Sequence, residues 1–241
     1  MSTGSNHQLP RLRRPRRPLN LAQLAGLVSK GVAKVNRTVE PVASYWDQHN
    51  ARALRSEGPL WVALGDSTTQ GIGASHPRHS YPALVLEELS RHSGRPWRLI
   101  NLSMSGGRFE DVVESQLPAM NDADLRPDLL SAVIGSNDVI WRRHAPSIVS
   151  DAERLVAALP HGTVLSRVSE PRPDQRRAGV NAVFDAASTK KELHLFEAWS
   201  WPEARDMWAE DRFHPNDRAY RYMADNLWAA FREAVDLDDG R

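Results

Sequence analysis

The chain predicts an α/β fold, a parallel sheet covered on both faces by helices. Two observations carry this. From residue 60 onward, short apolar runs alternate with helical apolar patterns, and that order of elements builds parallel sheets with crossover helices. Three of the apolar runs also end in polar, glycine-containing loops: Gly65-Asp66-Ser67, Asn101-Leu102-Ser103-Met104-Ser105-Gly106-Gly107 and Gly135-Ser136-Asn137-Asp138. In an open parallel sheet such loops share one edge, where ligands bind.

Each element has its own signal. Strands are expected at 60–64, 98–102, 129–134, 163–168 and 193–196, where apolar residues run in blocks of strand length. Helices are expected at 81–93, 109–120, 146–159, 174–190 and 217–235 from apolar residues three and four apart. Upstream, Leu21, Leu24, Leu27, Val28, Val32 and Val35 recur at helical spacing. Pro41 is expected to break that pattern, with a second helix over 42–55. The chain thus divides into a basic, disordered tail at 1–18, a helical extension at 19–56 and a main domain at 57–236. The extension reads either as packing on its own domain or on a second subunit of a homo-oligomer, or as lying in a membrane interface beside the basic arm.

Composition is that of an ordinary globular protein, 41% apolar and 25% charged, with a formal net charge of +1. No global field points to nucleic acid. The absence of cysteine excludes disulfides, thiolate catalysis and zinc–thiolate sites. Arg11, Arg13, Arg14, Arg16 and Arg17 are followed by a segment that Asn20, Gln23, Ser29, Lys30 and Lys34 interrupt, so no continuous apolar signal region is seen and a cytoplasmic location is expected.

The chemistry is legible in four blocks. Ser67 stands at the end of the first strand as a hydroxyl that becomes nucleophilic only when a base takes its proton. His214 is the natural base, and Asp211, three residues earlier in Asp211-Arg212-Phe213-His214-Pro215, can orient its imidazole. A tetrahedral intermediate needs donors, and the Ser67 N–H, the Gly106 N–H and the Asn137 side-chain amide can supply three, with Gly107 as a rival to Gly106. Ser67 could instead cap a helix, and Asn137 could instead pin its loop. Asp66 and Asp138 read as bracing residues.

Gly-Asp-Ser with a following Thr and Gly, Gly106 after the second strand, Gly-x-Asn-Asp after the third and Asp-x-x-His-Pro near the end resemble the SGNH, or GDSL-type, hydrolase family over residues 60–232. The resemblance implies a flavodoxin-like three-layer α/β/α sandwich with five parallel strands. It implies Ser67 as nucleophile, Asp211 and His214 as its triad partners, and Gly106 and Asn137 beside Ser67 in the oxyanion hole. The activity implied is ester hydrolysis or O-acyl transfer through an acyl-enzyme, with a small acyl ester as substrate, a sugar or other hydroxyl as acceptor in the transfer case, and no cofactor. Thr69 stands where a Gly-x-Ser-x-Gly elbow would need glycine, which argues against the ordinary α/β-hydrolase fold. Rival readings are a catalytically silent binding module and a membrane-surface lipase docked through residues 1–56.

Several residues remain as candidates around the pocket. Trp141, Arg142 and Arg143 follow the third block, and the arginines either suit a carboxylate or phosphate or form a solvated helix start. Trp199, Trp201 and Trp208 precede the last block and either wall an acyl or sugar site or pack an irregular segment. His76 and His79 have metal-like spacing without further ligands, and a solvated loop is expected there instead. Gly71-Ile72-Gly73 lacks the rest of a dinucleotide loop.

Overall fold

The computed structural model describes residues 12, 15, 29–141, 145–168, 174–191, 193–201 and 205–234. Strands β1 Leu60–Gly65, β2 Arg98–Asn101, β3 Leu129–Val133, β4 Val164–Ser166 and β5 His194–Phe196 form one sheet in the order β2-β1-β3-β4-β5. Every pairing is parallel, with Gly65 level with Val133 and Ala63 level with Asn101. This is the expected five-stranded α/β/α sandwich. Strand order reverses at β1, so the β1 and β3 ends flank the switch point where such sheets bind ligands.

The two faces are read from β1 itself. Leu60, Val62 and Leu64 enter one core and Trp61 and Ala63 the other, because successive side chains leave a strand on opposite faces. Helices α1 Lys30–Asn36, α2 Val39–Ala53, α4 Tyr81–Ser93 and α10 Asp217–Ala234 contribute Val35, Trp46, Leu89 and Phe231 to the Trp61 core. The opposite core takes Phe109, Met120, Leu155 and Phe184 from α5 Phe109–Asp111, α6 Leu117–Asp122, α8 Ala145–Ala158 and α9 Gln175–Lys191. The Trp61 indole donates to Ser131 Oγ at 2.9 Å, which satisfies its one polar atom inside the sheet.

Two expectations are corrected. Pro41 does not break a helix: it sits in the first turn of α2, where its missing N–H would have had no intrahelical partner. The break falls at Arg37 and Thr38 instead. The helix expected over 109–120 is not continuous either. Between α5 and α6 the chain opens into a π turn, Val112–Gln116, just ahead of Pro118, which cannot donate into the ladder.

The α1–α2 pair is built into the fold rather than laid on it. Asn50 accepts from the Asn101 N–H and donates to the Asn101 carbonyl, both at 2.9 Å, at the end of edge strand β2. The Trp46 indole, fully buried, donates to the Gln70 carbonyl at 2.8 Å. Gly31 lies so close to the loop before His214 that an added Cβ would stand 2.2 Å from the Glu210 carbonyl oxygen. Residues 1–11, 13–14, 16–28 and 235–241 lie outside the described residues, with the basic tail and most of the first expected helix among them.

Candidate active site

Ser67 is the first residue of a single helical turn, α3 Ser67–Gln70, that follows β1 directly. Asp66, not Ser67, is the N-cap: its Oδ1 accepts the Thr68 N–H at 2.8 Å, which leaves the serine hydroxyl free of capping work. Gly65 makes the turn possible. A Cβ there would stand 2.1 Å from Thr69 Oγ1 and 2.5 Å from the Val133 carbonyl oxygen. Buried Gln116, at the end of the π turn, grips Gly65 from both sides: the Gly65 N–H donates to Oε1 at 2.9 Å, and Nε2 donates to the Gly65 carbonyl at 2.8 Å. Sequence reasoning missed Gln116, since a lone glutamine in a helical pattern carries no signal.

Asp211 and His214 come from the segment before α10. Asp211 Oδ1 accepts the amides of Phe213 and His214, each at 3.0 Å, so the side chain folds its own loop. Its Oδ2 lies 2.6 Å from His214 Nδ1. A carboxylate only accepts, so Nδ1 carries the proton and Nε2 is left as an acceptor. Ser67 Oγ lies 2.9 Å from that Nε2. Asn216 then starts α10 by accepting the Arg218 and Ala219 amides at 3.0 and 3.2 Å. Burial pushes the Asp211 carboxyl up, but its bonds to the His214 ring and to the two amides outweigh this and hold it below the usual carboxylate range. Asp66 goes the other way: fully buried, it is pushed up to about 6 by desolvation, against its bond from Thr68 and the nearby His214.

The second and third loops meet beside Ser67. Gly106 adopts φ +73°, a conformation suited to glycine. The Gly107 N–H, the rival donor, is bonded to the Met104 carbonyl at 3.0 Å. Gly106 is not among the residues that line the cleft. Asn137, on α7 Ser136–Trp141, does line it; its Nδ2 donates to the Gly107 carbonyl at 2.9 Å and more weakly toward Asp66 Oδ2 at 3.4 Å. Asn137 therefore pins the second loop. Asp138 is buried and accepts the Phe109 amide at 3.2 Å, as a bracing residue does.

The cleft over Ser67 holds about 170 Å³. Trp199 and Trp208 line it with their rings 6.4 Å apart, and Trp201 packs behind both. Ile140, Val168, Arg177, Arg212 and Phe213 complete the wall and were not singled out from the sequence. Arg212 and Phe213 were nonetheless visible inside the Asp211–His214 block. Arg142 and Arg143 lie outside the described residues, as does the side chain of Trp141. His79 faces Asp217 (3.1 Å) and Ser75 (2.8 Å), and His76 accepts the Arg78 amide; among the described residues no group of three metal-ligating side chains could hold an ion.

A serine, a histidine and an aspartate in hydrogen-bonded line at the switch point of a parallel sheet define the class as α/β enzymes with a serine–histidine–aspartate site. The chain belongs to the GDSL-like lipase/acylhydrolase family, which matches residues 63–222. It is 27% identical over 205 residues to a GDSL-like esterase of Mycobacterium tuberculosis, an alignment that covers 75% of this chain and 65% of that protein's length. Its fold is similar to that of TesA (TM-score 0.61, 18% identity, 73% of this chain and 99% of the other). It is also similar to the esterase EstA from Pseudoalteromonas in a structure inhibited by monoethylphosphonate (TM-score 0.59, 17% identity, 74% and 100% covered).

Proposed function

We propose that the protein is a serine-dependent carboxylic ester hydrolase in which Ser67 attacks the ester carbonyl, His214 takes the hydroxyl proton and Asp211 holds the imidazole. The observation that carries this reading is the unbroken line Asp211 Oδ2–His214 Nδ1 at 2.6 Å and His214 Nε2–Ser67 Oγ at 2.9 Å. Attack forms a tetrahedral oxyanion, which the Ser67 N–H, the Gly106 N–H and the Asn137 amide stabilise. The Ser67 N–H belongs to the first residue of α3 and has no partner within its own turn. As the tetrahedral species collapses, His214 returns the proton to the departing alkoxide and the acyl group stays on Ser67. Water activated by His214 then releases the acid.

The imidazole's tautomer supports this assignment. With Nδ1–H held by a carboxylate kept below its usual range, Nε2 accepts from Ser67 and the imidazolium that forms is stabilised. Transfer to a sugar or other hydroxyl instead of water uses the same acyl-enzyme and differs only in the acceptor.

The test is covalent. An alkyl phosphonate probe should add to Ser67, detected by peptide mass, and Ser67→Ala should abolish both the adduct and turnover, a loss on the order of 10⁴–10⁶-fold. A folded wild-type sample without adduct would point to the silent binding module. A panel of p-nitrophenyl esters with and without sugar acceptors separates the two outcomes of the acyl-enzyme: free acid alone means hydrolysis, and acylated acceptor means transfer.

A further inference from the structure

Among the described residues, the charges around the cleft do not balance. Arg212 lines it and stands exposed. The four acidic residues nearest it in the chain are all engaged elsewhere: Asp211 with His214, Glu210 with Lys34, Asp217 with Ser75 and His79, and Asp206 with Arg218. Arg177, also in the wall, shares the single carboxylate of Asp174 with Arg176, both at 2.8 Å. Two arginines thus line a space in which, among the described residues, the only acidic wall residue is Asp66, buried beneath Ser67.

The backbone at Arg212 is also costly. Its φ of +56° is in the left-handed region, where a long side chain is disfavoured and glycine or asparagine would be cheaper. A tight turn imposes it: the Arg212 N–H donates to the Ala209 carbonyl at 2.9 Å, and the Ala209 N–H to the His214 carbonyl at 2.8 Å. A non-glycine residue held there beside a reacting group is a reason to look for a ligand.

Chemistry decides which part of the substrate Arg212 meets. The base that deprotonates the nucleophile also protonates the leaving alkoxide, so the alcohol portion departs next to His214. Arg212 and Phe213 immediately precede His214, and the Phe213 ring meets the imidazole edge-on at 4.8 Å. Among the described residues, the large hydrophobic side chains left exposed, Ile140, Trp208 and Phe213, all border the same cleft.

We infer that the cleft selects amphiphilic esters whose alcohol portion carries an anionic group, a carboxylate, sulfate or phosphate, which pairs with Arg212. This rests on the proposed hydrolase reading. The apolar body of the substrate covers the exposed rim of Ile140, Trp208 and Phe213. A guanidinium binds such oxyanions through two parallel N–H bonds.

The experiment compares two esters with the same butyryl group, one of 2-nitrophenol and one of 4-hydroxy-3-nitrobenzoate, which differ by a carboxylate on the leaving alcohol. The readout is the ratio of kcat/KM for the anionic ester to that for the neutral ester. Arg212→Gln should lower the ratio about tenfold relative to wild type, the effect of one charged hydrogen bond at an exposed site. Arg212→Lys should keep most of it, and in the wild type the ratio should fall as ionic strength rises. A ratio unchanged within twofold by Arg212→Gln, or insensitive to salt in the wild type, overturns the inference while leaving the hydrolase reading intact. Wild-type protein that hydrolyses neither ester and takes no phosphonate at Ser67 overturns the hydrolase reading, and the inference with it.

Discussion

Asp66 and Asp211 are two carboxyl groups near His214, set in opposite directions by their surroundings. Asp211 accepts two amides and an imidazole and is held low; Asp66 is buried beneath Ser67 and raised to about 6. Replacing Asp211 by Asn should therefore do more than remove a charge. An amide can offer its NH₂ to Nδ1, which stabilises the wrong tautomer and takes Nε2 away as an acceptor. A fall of about 10⁴-fold in kcat is expected with little change in melting temperature. Gly65→Ala acts by crowding: its Cβ meets Thr69 Oγ1 and the Val133 carbonyl, so the β1–α3 turn must shift. About 1–3 kcal/mol of stability should be lost, seen as a lower urea midpoint, along with turnover as Ser67 moves.

At the scale of elements, the site is held from behind by pieces that contribute nothing to the chemistry. The π turn sets Gln116 against the β1 end, and α2 sets Asn50 against the β2 end. Gln116→Met should leave the Gly65 amide buried without an acceptor, at a cost of about 1–3 kcal/mol. Its signature is a lower kcat at nearly constant KM, because the turn that aims Ser67 loosens while the cleft wall stays. A variant that loses stability and keeps full kcat would assign Gln116 to structure alone. None of these partners could be read from the sequence. Glutamine and asparagine fit a surface helix as well as a buried clamp, and only the approach of a distant strand end distinguishes the two.

For the molecule as a whole, two consequences follow. Helices α1 and α2 bury Val35, Val42, Ala43 and Trp46 in the core that backs β1. At roughly 1.5–3 kcal/mol for each large apolar side chain, this is comparable with the entire 5–15 kcal/mol that holds a domain folded. Removing residues 1–53 should abolish the cooperative thermal transition rather than yield a smaller active domain. Asp66 adds a pH dependence. Its folded pKa lies above the unfolded value near 3.8, so between about 4 and 6 the native state binds the extra proton and loses stability as pH rises. The stability difference between Asp66→Asn and wild type should grow in favour of the variant across that window, and a flat difference in parallel urea titrations would count against the buried, raised carboxyl.

The sheet and its helices were legible because burial is periodic: apolar blocks mark strands enclosed on both faces, and apolar residues three and four apart mark helices that cover them. Ser67, Asp211 and His214 could be picked out by residue type and order, since acyl transfer calls for a hydroxyl, an imidazole and a carboxylate whatever the packing. The sequence also located the loops that carry them, because parallel strands send their carboxyl ends to one edge. It could not choose between Asp66 and Ser67 as the helix cap, or between Trp199 and Trp201 as cleft wall. Those choices depend on which hydrogen-bonding groups are already taken and on which side chains meet across more than a hundred residues of chain. Such distances are decided when the layers pack, and local sequence carries no record of them.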